Sequence, residues 1–249
     1  LTRETPIGEG DLKLTDVCHR VYKARETHPE SKLAEVRLNM ISTIDTDSFM
    51  IELIAQSRRE KREDTTNNEL TLLCLREPSR KRKDPSQSTP AHYTCVDIAT
   101  FHDNVMAYIF GSRHLKPEIE ARKPQAALLL AASIALCGCD FVQVQGLRAD
   151  LVLPCVREIA RNRPELLALM AGVQTGEAGA TRNASDAILA VVEEFVTSIT
   201  DVPRMKKATH NASACSDLQI LRACWTTAYW SAREFKDVYQ WGFNHAALD

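Results

Sequence analysis

The sequence lacks the signatures of several large classes of protein. Its longest apolar run, Ala126 to Gly138, is shorter than the ~20 residues that a helix needs to cross a membrane, so we expect a buried helix and no membrane partner. The sequence contains no nucleophile elbow, phosphate-binding loop or dinucleotide fingerprint, which argues against acyl transfer, kinase and dehydrogenase chemistry. The eight cysteines include no CxxC pair and no zinc spacing. They predict reduced core thiols in an intracellular protein, cytoplasmic or nuclear.

Composition and charge are those of an ordinary folded protein. Of the 249 residues, 44% are hydrophobic and 26% are charged, which excludes a disordered or fibrous chain. The net charge is only −2, so any contact with nucleic acid must come from a local patch.

One such patch lies between Ser57 and Lys83, where nine Lys or Arg residues stand against five Asp or Glu residues. A basic segment can follow a phosphate backbone, and the alternative is a solvated surface hairpin. The candidate nucleic-acid contacts are Arg58, Arg59, Lys61, Arg62, Arg80, Lys81, Arg82 and Lys83.

Apolar spacing and turn residues predict an α/β chain. Strands are expected at Met40–Ile44, Leu70–Leu75 and His92–Ile98, the last two forming a hairpin with basic ends. Helices are expected at 12–25, 48–56, 101–110, 124–137, 151–161, 164–171, 184–200 and 213–240. Strands in the first hundred residues followed by helices indicate an α/β core with a helical extension.

Acidic residues occur where the chain is expected to reverse direction and expose them. They are Glu9, Asp11, Asp45, Asp47 and Asp140. In an open α/β sheet, groups that follow strand ends converge at one edge, so clusters remote in sequence can meet there. Carboxylates placed so near one another repel unless a cation neutralises them. Hard oxygen ligands of this kind select Mg²⁺ or Mn²⁺. Two such ions would suit phosphodiester hydrolysis. The alternative is that these acids are ordinary turn and cap residues.

The acidic motifs resemble those of a known family, the Xrn-type 5′→3′ exoribonucleases, within the wider group of flap-endonuclease and PIN-like metallonucleases. Residues 6–14, Pro-Ile-Gly-Glu-Gly-Asp-Leu-Lys-Leu, resemble the family's Pro-Gly-Glu-Gly-Glu-His-Lys-Ile motif. Ile44-Asp45-Thr46-Asp47 resembles its Asp-Ala-Asp strand end, and Gly138-Cys139-Asp140-Phe141 resembles its Gly-Asn-Asp-Phe. Between these, the run from Leu72 to Glu77 is similar to a strand that ends in Arg-Glu.

The resemblance implies a PIN-like 5′-nuclease core with a central, mainly parallel sheet. It implies that Glu9, Asp11, Asp45, Asp47 and Asp140 bind two metal ions, with Asp45, Asp47 and Asp140 catalytic. Residues 1–150 would be the C-terminal part of that core, with a basic hairpin insertion at 57–90, and residues 151–249 a helical extension of the same domain. Further metal carboxylates of the family have no counterpart in this sequence, so we expect a preceding segment or another chain to supply them.

The function expected from this resemblance is Mg²⁺- or Mn²⁺-dependent hydrolysis of single-stranded RNA from a 5′ end, with RNA favoured over DNA. The alternative is a catalytically inactive protein of the same fold. Such a protein would bind nucleic acid or be a structural subunit of a larger assembly, for example a viral one. Because a fold does not determine function, retained carboxylates alone do not separate the two.

Overall fold

A computed structural model describes residues 17–18, 20–21, 23–24, 27–43, 47–58, 70–76, 93–112, 116–143, 147–175, 178–200 and 215–231. The described positions between 17 and 27 are helical up to Thr27, and a 3₁₀ turn follows at Lys32–Glu35. The strands are β1 (Leu38–Thr43), β2 (Leu70–Arg76) and β3 (Tyr93–Asp97), with helix α1 (Asp47–Ser57) between the first two. The later helices are α2 (Ile98–Phe110), α3 (Pro117–Glu120), α4 (Lys123–Ala135), α5 (Ala149–Asn162), α6 (Pro164–Leu169), α7 (Ala178–Thr200) and α8 (Asp217–Trp230), with a 3₁₀ segment at Met170–Thr175.

Within the described residues, the sheet has three strands in the order β1-β2-β3. β1 runs parallel to β2, from Leu38 opposite Leu70 to Thr43 opposite Leu75. β2 runs antiparallel to β3, so the predicted hairpin pairing is confirmed. The mixed α/β class is also confirmed, but the sheet is small and mixed rather than mainly parallel, and the described chain is mostly helical. β2, which we expected in a hairpin insertion, is the central strand.

The two faces of the sheet have different surroundings because side chains alternate along each strand. Ile41 and Leu73 lie on one face and form a small buried cluster with Cys18 and Ile98. Leu38, Met40 and Leu70 lie on the opposite face and are exposed. The sheet is therefore packed on one side by the early helical residues and by the start of α2.

The predicted buried helix is confirmed as α4. Its residues from Ala126 to Ala132 are almost completely inaccessible to solvent, whichever side of the helix they lie on. A helix that is apolar all round must be surrounded by other elements, and α4 contacts α1, α5, α7 and α8. The alanines allow the neighbouring helices to approach closely, and the leucines fill the space between them. Over the described ranges, no helix combines the length and apolar character needed to cross a bilayer.

One core joins the two halves of the chain. Its buried residues run from Met50 in α1 to Trp230 in α8 without interruption between the earlier and later helices. Edge-to-face aromatic pairs support this packing, with ring centroids of Phe49 and Phe101 5.6 Å apart. The helices after residue 149 thus share the core that holds α1 and α2.

Helix α2 has well-defined ends. At its start the Asp97 carboxylate accepts hydrogen bonds from Ala99 N at 3.1 Å and Thr100 Oγ1 at 2.5 Å, which satisfies a free helix amide. At its end Gly111 is left-handed, with φ 77°, and its amide donates to Ala107 O at 2.8 Å. Glycine adopts this conformation without the steric cost that a Cβ imposes.

We predict that Gly111→Ala lowers the free energy of unfolding by about 1 kcal/mol, because alanine is strained in the left-handed region. The new Cβ would also meet the guanidinium of Arg161, but that side chain is exposed and can move aside. Urea denaturation of the purified variant measures the loss. Gly111→Asn should lose less, since asparagine tolerates left-handed backbone better than alanine. Equal losses would show that contact with Arg161 determines the cost.

Candidate metal centre

The described residues include two of the five predicted metal ligands, Asp47 and Asp140. The other three, Glu9, Asp11 and Asp45, lie outside the described residues.

Asp47 is the first residue of α1 and is half-buried. β1 ends shortly before it at Thr43, opposite Leu75 of the parallel strand β2. The carboxyl ends of β1 and β2 therefore lie at the same edge of the sheet, as expected for a site beyond parallel strands. Since α1 packs against α4, Asp47 is held relative to the helical core.

Asp140 lies in a tight turn that follows α4. Cys139 N donates to Val142 O at 3.0 Å and Val142 N donates to Cys139 O at 3.2 Å, which closes the turn. Gly138 precedes it with a φ of 119°, and Phe141 packs edge-to-face on Tyr229 with ring centroids 5.9 Å apart. The turn is thereby attached to the core while the Asp140 carboxylate stays exposed.

The Cys139 thiol is affected by both carboxylates. Burial is the largest cause that raises the pKa of its thiol, to about 11, and hydrogen bonds from the Phe141 and Val142 backbone oppose that rise. The negative charges of Asp47 and Asp140 raise this pKa further. Both carboxylates therefore lie within electrostatic range of the same thiol, and Asp140 is its neighbour in the sequence. The fold thus places Asp47, which is remote in the sequence, where its charge acts on the thiol that precedes Asp140.

Each carboxylate also fits an ordinary structural role. An acid in the first turn of a helix interacts favourably with the helix dipole, which describes Asp47. Asp140 occupies a turn position, where aspartate is common.

The donor chemistry suits Mg²⁺ or Mn²⁺, which prefer carboxylate oxygens to thiols. Across the part of the chain that the structure describes, no group of three or more His, Cys, Asp or Glu side chains is arranged to hold a metal ion. A metal site that included Asp47 and Asp140 would need further ligands from outside the described residues.

Of the eight predicted nucleic-acid contacts, Arg58 alone belongs to the described residues. Its Nη1 donates to Ser231 O at 2.5 Å, at the carboxyl end of α8. A cation there offsets the negative end of the helix dipole. Arg58 thus joins the end of α1 to the end of α8. Contact between nucleic acid and the basic segment from Ser57 to Lys83 stays a prediction. The other contacts, Arg59, Lys61, Arg62, Arg80, Lys81, Arg82 and Lys83, lie outside the described residues.

Two polar features were not found from the sequence. Lys123, at the start of α4, is buried and pairs with Glu120 across 2.7 Å, beside a cavity of about 230 Å³ lined by Asp103, Asn104 and Ser112.

The thiols of Cys74 and Cys95 face each other across β2 and β3, and Cys95 is exposed, so the expectation of core thiols is wrong for it. The predicted hairpin indicated that Cys74 and Cys95 lie on neighbouring strands. Only the register of β2 against β3 shows that they are directly opposite each other.

No protein-family model, curated protein or solved structure matches this chain. The likeness to the Xrn-type exoribonucleases therefore rests on the motifs alone, and the fold and the site are described by their own geometry.

We predict that Asp47→Asn and Asp140→Asn each lower the pKa of the Cys139 thiol from about 11, since a nearby negative charge disfavours the thiolate. At a fixed pH below that value, alkylation of Cys139 by iodoacetamide should accelerate by up to about 10-fold, the change that one unit of pKa produces. Site-resolved mass spectrometry over a pH series measures it.

Asp150→Asn is the matched control. The Asp150 charge adds to burial in raising the pKa of Cys137 to about 12, so this substitution should accelerate alkylation of Cys137 and leave Cys139 unchanged. An unchanged pH profile of Cys139 in Asp47→Asn would show that the two side chains are not close in solution.

Proposed function

We propose that this chain is a metal-dependent nuclease that hydrolyses single-stranded RNA from a 5′ end. The observation that supports the proposal best is that the charges of Asp47 and Asp140 both act on the Cys139 thiol. The two acids come from separate motifs of the proposed PIN-like core, and negative charges in one region favour the binding of a cation.

In this proposal Asp47 and Asp140 bind metal through their carboxylate oxygens, together with Glu9, Asp11 and Asp45. Two Mg²⁺ or Mn²⁺ ions, when bound, supply activation of water and stabilisation of the leaving oxygen. The half-buried Asp47 is positioned by α1, and the exposed Asp140 is accessible to a polynucleotide. The basic segment from Arg58 to Lys83 would hold the phosphate backbone of the substrate.

The Cys139 thiol offers a direct readout of metal binding. A cation held by Asp47 and Asp140 cancels the charges that raise the pKa of this thiol, so Mg²⁺ should accelerate alkylation of Cys139. Mg²⁺ is the better probe because it binds thiols weakly. The acceleration should saturate with Mg²⁺ concentration and should be absent from the double variant Asp47→Asn/Asp140→Asn.

We predict that Asp47→Asn lowers Mn²⁺-dependent hydrolysis of a 5′-phosphorylated single-stranded RNA by about 100-fold or more, since losing a charge at the reacting phosphate costs on this scale. Release of labelled nucleotides over time measures the rate, with single-stranded DNA of the same sequence as a second substrate. Asp150→Asn is the control and should keep full activity. Asp150, like Asp47, is an acid in the first turn of a helix, but it pairs with Arg148 and is not one of the proposed metal ligands.

Two results would contradict the proposal. Undiminished hydrolysis in Asp47→Asn would remove this residue from the catalytic site. Mg²⁺ that changes neither Cys139 alkylation nor RNA hydrolysis would favour the non-catalytic alternative, a nucleic-acid-binding or structural subunit.

A further inference from the structure

The hairpin of β2 and β3 carries a pair of thiols that is independent of the carboxylate site. Cys74 lies directly opposite Cys95 in the antiparallel pairing, and their Sγ atoms are 2.7 Å apart. Directly opposed side chains of an antiparallel pair project to the same face, with Cβ atoms about 4.5–5.5 Å apart. A disulfide needs a slightly shorter separation, about 3.5–4.5 Å, so closing the bond draws the two Cβ atoms together.

The two thiols differ in their access to solvent. Cys95 lies on an outer strand of the described sheet and is exposed, whereas Cys74 lies on the central strand and is only 4% exposed. A soluble oxidant therefore reaches Cys95 first. Cys74 is positioned as the second thiol, which attacks only after Cys95 has reacted.

We propose that Cys74 and Cys95 form a reversible disulfide that joins β2 to β3, with a low-molecular-weight disulfide such as oxidised glutathione as the oxidant.

The reaction proceeds by two thiol–disulfide exchanges. Cys95 loses a proton to solvent, and its sulfur attacks the oxidant, breaking the oxidant's S–S bond and releasing one small thiol. Cys74 then loses its proton and attacks the Cys95 sulfur, forming the protein disulfide and releasing the second small thiol. The protein gives up two protons and two electrons, and the oxidant becomes two thiols. A small reducing thiol reverses both steps.

The protonation of Cys74 supports this order. The hydrogen bond with Cys95 is the largest cause that raises the pKa of Cys74, to about 11, and burial and the Cys95 charge act in the same direction. At neutral pH the Cys74 thiol is therefore seldom ionised and is a poor first nucleophile.

Closing this bond cross-links the two ends of the segment between the strands. The cysteines are 21 positions apart, and the enclosed segment contains the basic run Arg80 to Lys83. A cross-link of this length restricts the unfolded chain and so raises Tm. For a protein of this size we expect oxidation to raise Tm by about 5–10 °C.

The test uses the full chain, incubated with oxidised glutathione, blocked with iodoacetamide and digested without reduction. Mass spectrometry should detect the peptide of Cys74 linked to that of Cys95, and the Tm rise should disappear on addition of reduced glutathione. In Cys74→Ser, Cys95 should accumulate as a mixed disulfide with glutathione. In Cys95→Ser, Cys74 should remain unmodified.

Cys215→Ser is the matched control, because Cys215 is partly exposed and lies outside the hairpin. It should form the Cys74–Cys95 link as the unmodified chain does. The proposal is overturned if Cys74 and Cys95 are both alkylated after oxidation, or if either links to a different cysteine. Equal glutathione labelling of Cys74 and Cys95 in the two single variants would overturn the order of attack.

Discussion

Burial of α4 on all sides is the constraint on which the rest of the helical structure depends. The helix is too apolar to face water, so α1, α5, α7 and α8 must cover it. Its one buried hydroxyl, on Ser133, donates to Leu129 O at 2.7 Å, so no polar cost remains there. The first residue of the helix, Lys123, is buried and charged. Its ion pair with Glu120 offsets the cost of burying that charge.

The candidate site is a consequence of this packing. α4 ends in the turn that carries Asp140, and α1, which packs on α4, begins with Asp47. Further contacts hold both parts, since Phe141 packs on Tyr229 and Arg58 donates to the carbonyl of Ser231, directly after α8. The environment of Cys139 is therefore produced by the helical core, although the two acids were first recognised from their place after a strand and after an apolar run.

The sheet contributes differently, since its register decides which side chains meet. Periodicity predicted all three strands and the antiparallel hairpin within a few residues of their positions. It did not predict that β2 is central, because a strand's own sequence does not specify its neighbours. The register places Cys74 beside Cys95, and a slip of one residue would turn one of these thiols to the opposite face.

The sequence by itself determined the local structure of this protein: the strands at 40, 70 and 93, the buried helix after Ala126, and the acids at the ends of elements. These follow from side-chain spacing and turn residues, which act over a few positions along the chain. Tertiary structure alone decided which remote groups act on one another: the Asp47 charge on the Cys139 thiol, Arg58 on Ser231, and Cys74 on Cys95. Such contacts join residues remote in sequence, and they arise only when the apolar faces of many elements are buried together.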